Sequence, residues 1–355
     1  MEKICVFCGK RPENKNREHV IPQWLIKMTG DANRCGNWGI DYQELIFEER
    51  VHVKARKYPF MKFTFPACEK CNAEYGDKLE TQAKSVIEKI HSNQSLEEKD
   101  ISVLLDWFDK VRVGMWLGYL YYNSKDGILP KFCISERVGA TDRALFIFKS
   151  ETSTQGLTIF GPGSMLFSRL PIIFGMRING YYYLNISKDF LISDEVGFPV
   201  PTEIKTDSEG NIGIETFKTG NEKIVEEEIW RKFFSLKPEI GFLQPIYKKY
   251  NKDFKDIYET EYIKKNSINV ENGIGNIFYY NDGKFESFPK NETRLFITGE
   301  YVEENLKNRL AIIVSKYLIK TAEKLKLEVA NKEVEEELDL AIIYQKFIMQ
   351  NVIEK

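Results

Sequence analysis

The chain has 355 residues and a mass of 41.5 kDa, so at about 150 residues per domain it is long enough for two. With 43% hydrophobic and 29% charged residues it has the composition of a globular protein, which excludes a disordered or low-complexity chain. Its 51 basic and 53 acidic side chains leave a net charge of -2, which excludes a polycation that coats nucleic acid through charge alone, although a global sum conceals local faces. Divided at residue 150, the first part carries 24 basic against 21 acidic residues and the second 27 against 32. An anionic partner is therefore expected nearer the N-terminal half.

Residues 1–95 are compact, cysteine-bearing and rich in turn residues. Within them, Val51-His52-Val53-Lys54-Ala55-Arg56 alternates in the manner of a half-buried strand, with His52, Lys54 and Arg56 on one face and Lys57 and Lys62 close by. That face suits phosphate, and equally a solvated strand surface. After Cys71, the positions Leu79, Ala83, Val86, Ile87 and Ile90 predict a helix ending near His91, where an imidazolium would favour the helix dipole. The polar stretch Ser92–Lys99 marks the first domain boundary, giving units 1–95 and 96–355.

Residues Ile101–Tyr122 form the most apolar long stretch, but Asp106, Asp109, Lys110 and Arg112 interrupt it, so a bilayer would be a costly place for it. Apolar residues at Ile101, Leu104, Leu105, Phe108, Val111 and Met115 instead predict a buried helix at the domain junction. Strands are expected at Ala144–Phe148, Leu170–Ile178, Tyr181–Ile186, Ile277–Tyr280 and Arg294–Thr298, with Asn179-Gly180 as a tight hairpin turn. Gly161-Pro162-Gly163-Ser164 lacks the spacing and lysine of a phosphate loop and reads as a turn. Tyrosines at 121, 122, 181–183, 279 and 280 could stack on bases, and strand and helix packing explains them as well. Helices are expected over Glu226–Leu236, Val302–Leu327 and Glu333–Ile353. The last two carry apolar stripes that form an intramolecular pair or, in the alternative, a homodimer seam.

Six cysteines punctuate the chain. Cys5 and Cys8 form one C-x-x-C and Cys68 and Cys71 another, while Cys35 reads as a loop thiol and Cys133 as a core residue. A chain of this size needs no disulfides, and no cleavable apolar segment precedes Cys5, so the thiols are expected reduced in a cytoplasmic protein. Paired C-x-x-C turns then hold metal, Zn²⁺ first, because each offers two thiolates from a tight bend. The halves are 59 residues apart, against the ~15–20 of a compact zinc ribbon. The insertion contains Glu18-His19-Val20-Ile21-Pro22, and the second knuckle is followed at once by Asn72.

Over residues 1–95, the order C-x-x-C, acid-His, C-x-x-C-Asn resembles the HNH, or ββα-metal, endonuclease superfamily, especially its zinc-stapled phage resolvase-like members. The middle Asn of that family's pattern has no counterpart among Lys62, Phe63, Thr64 and Phe65. The resemblance implies an α+β protein with an N-terminal zinc-bound ββα-metal unit and a larger mixed α+β domain ending in helices. It implies cleavage of phosphodiester bonds in nucleic acid, double-stranded DNA first, with Glu18, His19 and Asn72 as the working residues and Cys5, Cys8, Cys68 and Cys71 on structural Zn²⁺. The association of such nuclease domains with sensing partners further implies a role in bacterial anti-phage defence or in a mobile element, the 96–355 unit selecting the target, oligomerising or restraining the nuclease.

The chemistry accounts for the same residue types independently. Hydrolysis of a phosphodiester needs a base, a divalent cation and a scaffold that fixes both. His19 suits the base because its pKa lies near neutrality, and Glu18 and Asn72 offer hard oxygens suited to Mg²⁺ or Mn²⁺. Glu80, two turns beyond Asn72, is a further candidate ligand. Glu18 and His19 would point to opposite faces of a regular strand, so a bulge or strand end is expected there. The competing expectation is a non-catalytic, zinc-dependent nucleic-acid-binding regulator.

Overall fold

A computed structural model of the chain describes residues 4–12, 14–40, 55–122, 130, 132–150, 154–188, 200–206, 212–218, 228–246, 269, 272–281, 284–289, 305–327, 329 and 331–350. His52, Lys54 and the predicted strand Arg294–Thr298 lie outside these residues.

The N-terminal region contains β1 (Lys15–His19), α1 (Gln23–Met28), β2 (Cys35–Ile40), β3 (Ala55–Pro59) and β4 (Thr64–Cys68). Strands β1 and β4 pair antiparallel in unbroken register, with Glu18 opposite Phe65 and His19 opposite Thr64. Because side chains alternate along a strand, Glu18 shares the buried face of Phe65 and Ala67, and His19 takes the other. The strand ends at His19, and Pro22 follows as the N-cap of α1. Strands β2 and β3 form a second two-stranded pair. After β4 the chain enters helix α2, which starts as the turn Glu69–Cys71, widens to a π-helix over Asn72–Lys78 and continues as α-helix over Leu79–His91.

Helix α2 buries Ala83, Val86, Ile87 and Ile90 against α3 (Glu98–Tyr122). Helix α3 is apolar nearly all round and is buried along most of its length from Trp107 onward, as such a helix must be. Its charged residues are buried as well: Asp109 is 0% exposed, Lys110 4% and Arg112 3%. Each is ion-paired, as a charge out of water must be. Among the described residues no helix is long and apolar enough to cross a membrane.

The rest of the chain adds β5 (Arg143–Lys149), β6 (Leu157–Phe160), α4 (Met165–Arg169), β7 (Ile173–Ile178), β8 (Tyr181–Ser187), β9 (Val200–Thr206), β10 (Ile212–Lys218), α5 (Glu228–Ser235), β11 (Ile240–Gln244), β12 (Phe278–Asn281), β13 (Lys284–Ser287), α6 (Leu306–Lys326) and α7 (Lys332–Ile348). Seven of these strands make one antiparallel sheet in the order β13-β12-β11-β5-β8-β7-β6, and β9 and β10 pair separately. Helix α3 covers one face, where Phe108 meets Phe174 and Tyr183. Helix α5 covers the other, where Trp230 meets Phe146 and reaches Tyr317 of α6. With both faces covered, every residue of β8 is buried. The chain is mixed helix and sheet, as an α+β reading requires. The turn at Asn179-Gly180 links β7 to β8, with Asn179 at φ 53°. The Gly161–Ser164 segment caps α4, the Ser164 hydroxyl accepting from the Leu166 and Phe167 amides. Helices α6 and α7 pack on one another. Buried side chains from Cys5 to Ile342 form one contiguous core.

Candidate metal centre and adjoining polar site

Both C-x-x-C turns come together. The sulfurs of Cys5, Cys8, Cys68 and Cys71 lie within 4.8 Å of one another, the spacing of a tetrahedral four-thiolate metal site. Each knuckle is held by backbone. The Cys5 amide donates to the Lys10 carbonyl and the Gly9 amide to the Cys5 carbonyl, with Gly9 at φ 70°, a left-handed bend that glycine makes at no steric cost. The Cys68 amide donates to Cys5 Sγ at 3.3 Å. Burial raises the Cys5 thiol, but N–H groups of Cys68, Cys8 and Phe7 outweigh it and hold the pKa below its ordinary value. Cys71 is pushed up to about 12 by burial and by the neighbouring thiols. Four such groups ionise together only around a cation. Cys133 is buried, with its sulfur 3.8 Å from where a Cβ on Gly9 would stand, and Cys35 is exposed at the start of β2 rather than on a loop.

Beside the cluster lies a polar site built from three elements. Glu18 points inward from β1 and is 8% exposed. Its Oε1 accepts from Lys110 Nζ of α3 at 2.7 Å. Its other oxygen, Oε2, turns toward Gly76 of the π-helical segment: a Cβ there would lie 2.8 Å from Glu18 Oε2 and would collide with Asn72 Oδ1. Glu18 Oε2 and Asn72 Oδ1 therefore converge on one small cradle that only glycine leaves open. Asn72 Oδ1 is buried without a hydrogen-bond partner. An orphaned acceptor costs roughly 1–3 kcal/mol, which a donor or a cation at that oxygen would offset. Carboxylate plus amide oxygen is a donor set suited to a hard divalent ion.

Glu80 lies at the base of this site with both oxygens hydrogen-bonded. Oε2 accepts from Trp24 Nε1 at 2.7 Å and Trp107 Nε1 at 3.0 Å, and Oε1 accepts from Lys110 Nζ. Its carboxylate is fully engaged in holding the lysine. Two buried carboxylates thus share one ammonium. The pair of acids holds Lys110 protonated against its burial. For Glu18, burial raises the pKa further than Lys110 lowers it, and two carboxylates stand against the one ammonium. A cation in the Gly76 cradle would relieve that imbalance.

His19 does not join these groups. Its ring faces the other side of the hairpin, with Nε2 3.2 Å from the Met61 carbonyl and with Gln23 Nε2 at 3.4 and 3.5 Å from the two ring nitrogens. Desolvation lowers its pKa, only partly offset by the Met61 carbonyl, which favours the neutral imidazole. Compared with protein-family models, with curated proteins and with solved structures, the chain matches none.

Of the remaining candidate residues, Arg56 and Lys57 lie on β3, opposite Trp38 and Asn37 of β2. A cavity of about 490 Å³ opens beside the thiol cluster and is lined by Lys10, Arg11 and Lys70, a basic rim that the alternation around His52 does not reveal. His91 is a correction. The expected dipole partner has to be charged, but burial lowers its pKa to about 4. It stacks on Tyr181 and meets the Tyr183 hydroxyl at 3.3 Å, as a half-buried neutral ring. Lys110, Gly76 and the two tryptophans are site residues that motif spacing passes over. The one signal in the sequence is for Lys110, a charge inside an otherwise apolar helix, since a buried charge demands a partner.

Proposed function

We propose that the chain is a metal-dependent HNH-type endonuclease that hydrolyses phosphodiester bonds of nucleic acid, with double-stranded DNA as its first substrate. The observation that carries this reading is the convergence at Gly76 of Glu18 Oε2 and the unpartnered Oδ1 of Asn72, the residue that directly follows the last thiol of a four-cysteine cluster. An antiparallel strand pair followed by a helix, β1, β4 and α2, supports it further.

In this reading Zn²⁺ on Cys5, Cys8, Cys68 and Cys71 staples the N-terminus to the start of α2 and so fixes Asn72, the residue after Cys71. Glu18 and Asn72 hold Mg²⁺ or Mn²⁺. That ion supplies positive charge to the scissile phosphate and the leaving oxygen. His19 is assigned as the base that takes the proton of the attacking water; its ring lies on the hairpin face away from Glu18 and Asn72 and meets the Met61 carbonyl, so the role requires the ring to turn toward the bound ion. Lys10, Arg11 and Lys70 attract the phosphate backbone locally, which a net charge of -2 does not prevent.

The test is cleavage of supercoiled plasmid and of RNA with Mg²⁺ or Mn²⁺ by the wild type and by His19→Ala. The wild type is expected to nick at least one substrate, and His19→Ala to do so roughly 10²-fold more slowly or worse. If neither protein cuts DNA or RNA while both still bind them, the chain is instead a zinc-dependent nucleic-acid-binding regulator.

A further inference from the structure

Lys110 stands outside the predicted motif and outside the 1–95 segment, yet its ammonium is the closest cation to Glu18. It is 4% exposed and rises from the middle of α3. On one side it meets Glu80 Oε1, whose partner oxygen is locked by the indole N–H groups of Trp24 and Trp107. On the other it donates to Glu18 Oε1 at 2.7 Å. Both oxygens of Glu80 already accept hydrogen bonds, and one of them anchors the lysine. The lysine in turn occupies one oxygen of Glu18 and leaves the other facing Asn72 Oδ1 across Gly76.

We propose that Lys110, anchored by Glu80, is a positioning residue that confines Glu18 to a single free oxygen and weakens the site's hold on its divalent ion. The inference rests on Glu18 and Asn72 as ligands of that ion. A carboxylate free to rotate can chelate an ion through both oxygens, whereas Glu18 can present Oε2 alone. The ammonium also opposes a divalent charge entering the same buried space. At short range in a poorly screened site, repulsion of this kind changes an affinity by tenfold or more. Glu80 and Lys110 therefore keep the ion weakly held and oriented.

Mn²⁺ affinity, read by electron paramagnetic resonance of the zinc-loaded full chain, is measured beside the cleavage rate at saturating Mn²⁺. The double variant Lys110→Met, Glu80→Gln removes the ammonium together with the carboxylate that anchors it, leaving Glu18 as the one remaining charge of the trio. It is expected to bind Mn²⁺ about tenfold more tightly while its saturated cleavage rate falls at least tenfold. Lys110→Arg keeps the charge but changes its reach, and is expected to bind Mn²⁺ within about twofold of the wild type with a reduced rate. A purely structural lysine would weaken binding and rate together, and that result overturns the proposal. So does a Lys110→Arg variant that matches the wild type in both readouts, which applies even if the double variant fails to fold. Glu18→Gln separates the two levels. If it leaves Mn²⁺ binding unchanged, the ligand assignment itself is wrong; if it abolishes binding while the lysine variants change nothing, only the role of Lys110 fails.

Discussion

At the scale of single residues, two positions carry disproportionate consequence. Gly76 lies in the π-helical segment, where replacing glycine by alanine ordinarily gains about 1 kcal/mol of helix propensity. Here the added methyl would strike Asn72 Oδ1 and approach Glu18 Oε2 to 2.8 Å, and overpacking of this kind costs roughly 1–3 kcal/mol. Gly76→Ala is thus expected to lower the urea midpoint and to remove Mn²⁺ binding, and a variant as stable as the wild type would refute the cradle. Cys68 is the second. Each chain is expected to hold about one tightly bound zinc, because four thiols converge on a single centre. Cys68→Ser should release it and unfold the N-terminal unit, since metal binding supplies folding energy there. Zinc content measured by emission spectrometry should be unaffected by His19→Ala. Finding the metal retained in Cys68→Ser would exclude the four-cysteine site.

At the scale of elements, period and turn chemistry made much of the fold legible. The i, i+3, i+4 spacing located α2, α3, α5, α6 and α7 to within a few residues, and Asn179-Gly180 located the β7–β8 hairpin. What stayed hidden was strand order, because β5 and β8 are buried on both faces and so lack the alternation that reveals a register. Strands β6 and β11 are short, and their identity comes from long-range pairing with β7 and β5. In the site, cysteine spacing and the Glu18-His19 pair were visible as a pattern, whereas Lys110 became visible only once α3 was packed beside α2. His91, the last residue of α2, gives this junction a pH dependence. Its folded-state pKa of about 4 lies below the ordinary 6.5, so between those values the unfolded chain binds the extra proton. Stability therefore falls as pH drops from about 6.5 toward 4, by on the order of 3 kcal/mol from this group. Urea midpoints at pH 7 and pH 4.5 should separate more for the wild type than for His91→Phe, and equal separations would contradict the assignment.

At the scale of the whole molecule, the two-unit division at residues 95 and 96 meets a core that crosses it. Ala83, Val86, Ile87 and Ile90 of α2 are buried against α3, and Lys110 of α3 enters the site of Glu18. A fragment of residues 1–95 would expose that apolar face and leave Glu18 and Glu80 buried without their cation, each a costly loss. Even with zinc supplied, the fragment is expected to show the broad, non-cooperative melting of a poorly packed protein, while a fragment extended through Tyr122 should regain a sharper transition. Cooperative melting of residues 1–95 alone would mean that α3 is dispensable.

The proposed function turns on two metals held by separate residue sets, four cysteines for one and Glu18 with Asn72 for the other, which meet at the adjacent residues Cys71 and Asn72 of α2. Anomalous diffraction from crystals of the full chain soaked in Mn²⁺, recorded at the zinc and manganese edges, tests this directly. The account predicts a zinc peak enclosed by the sulfurs of Cys5, Cys8, Cys68 and Cys71 and a manganese peak in contact with Glu18 Oε2 and Asn72 Oδ1. A manganese map featureless at Glu18 and Asn72 under saturating Mn²⁺ would contradict it.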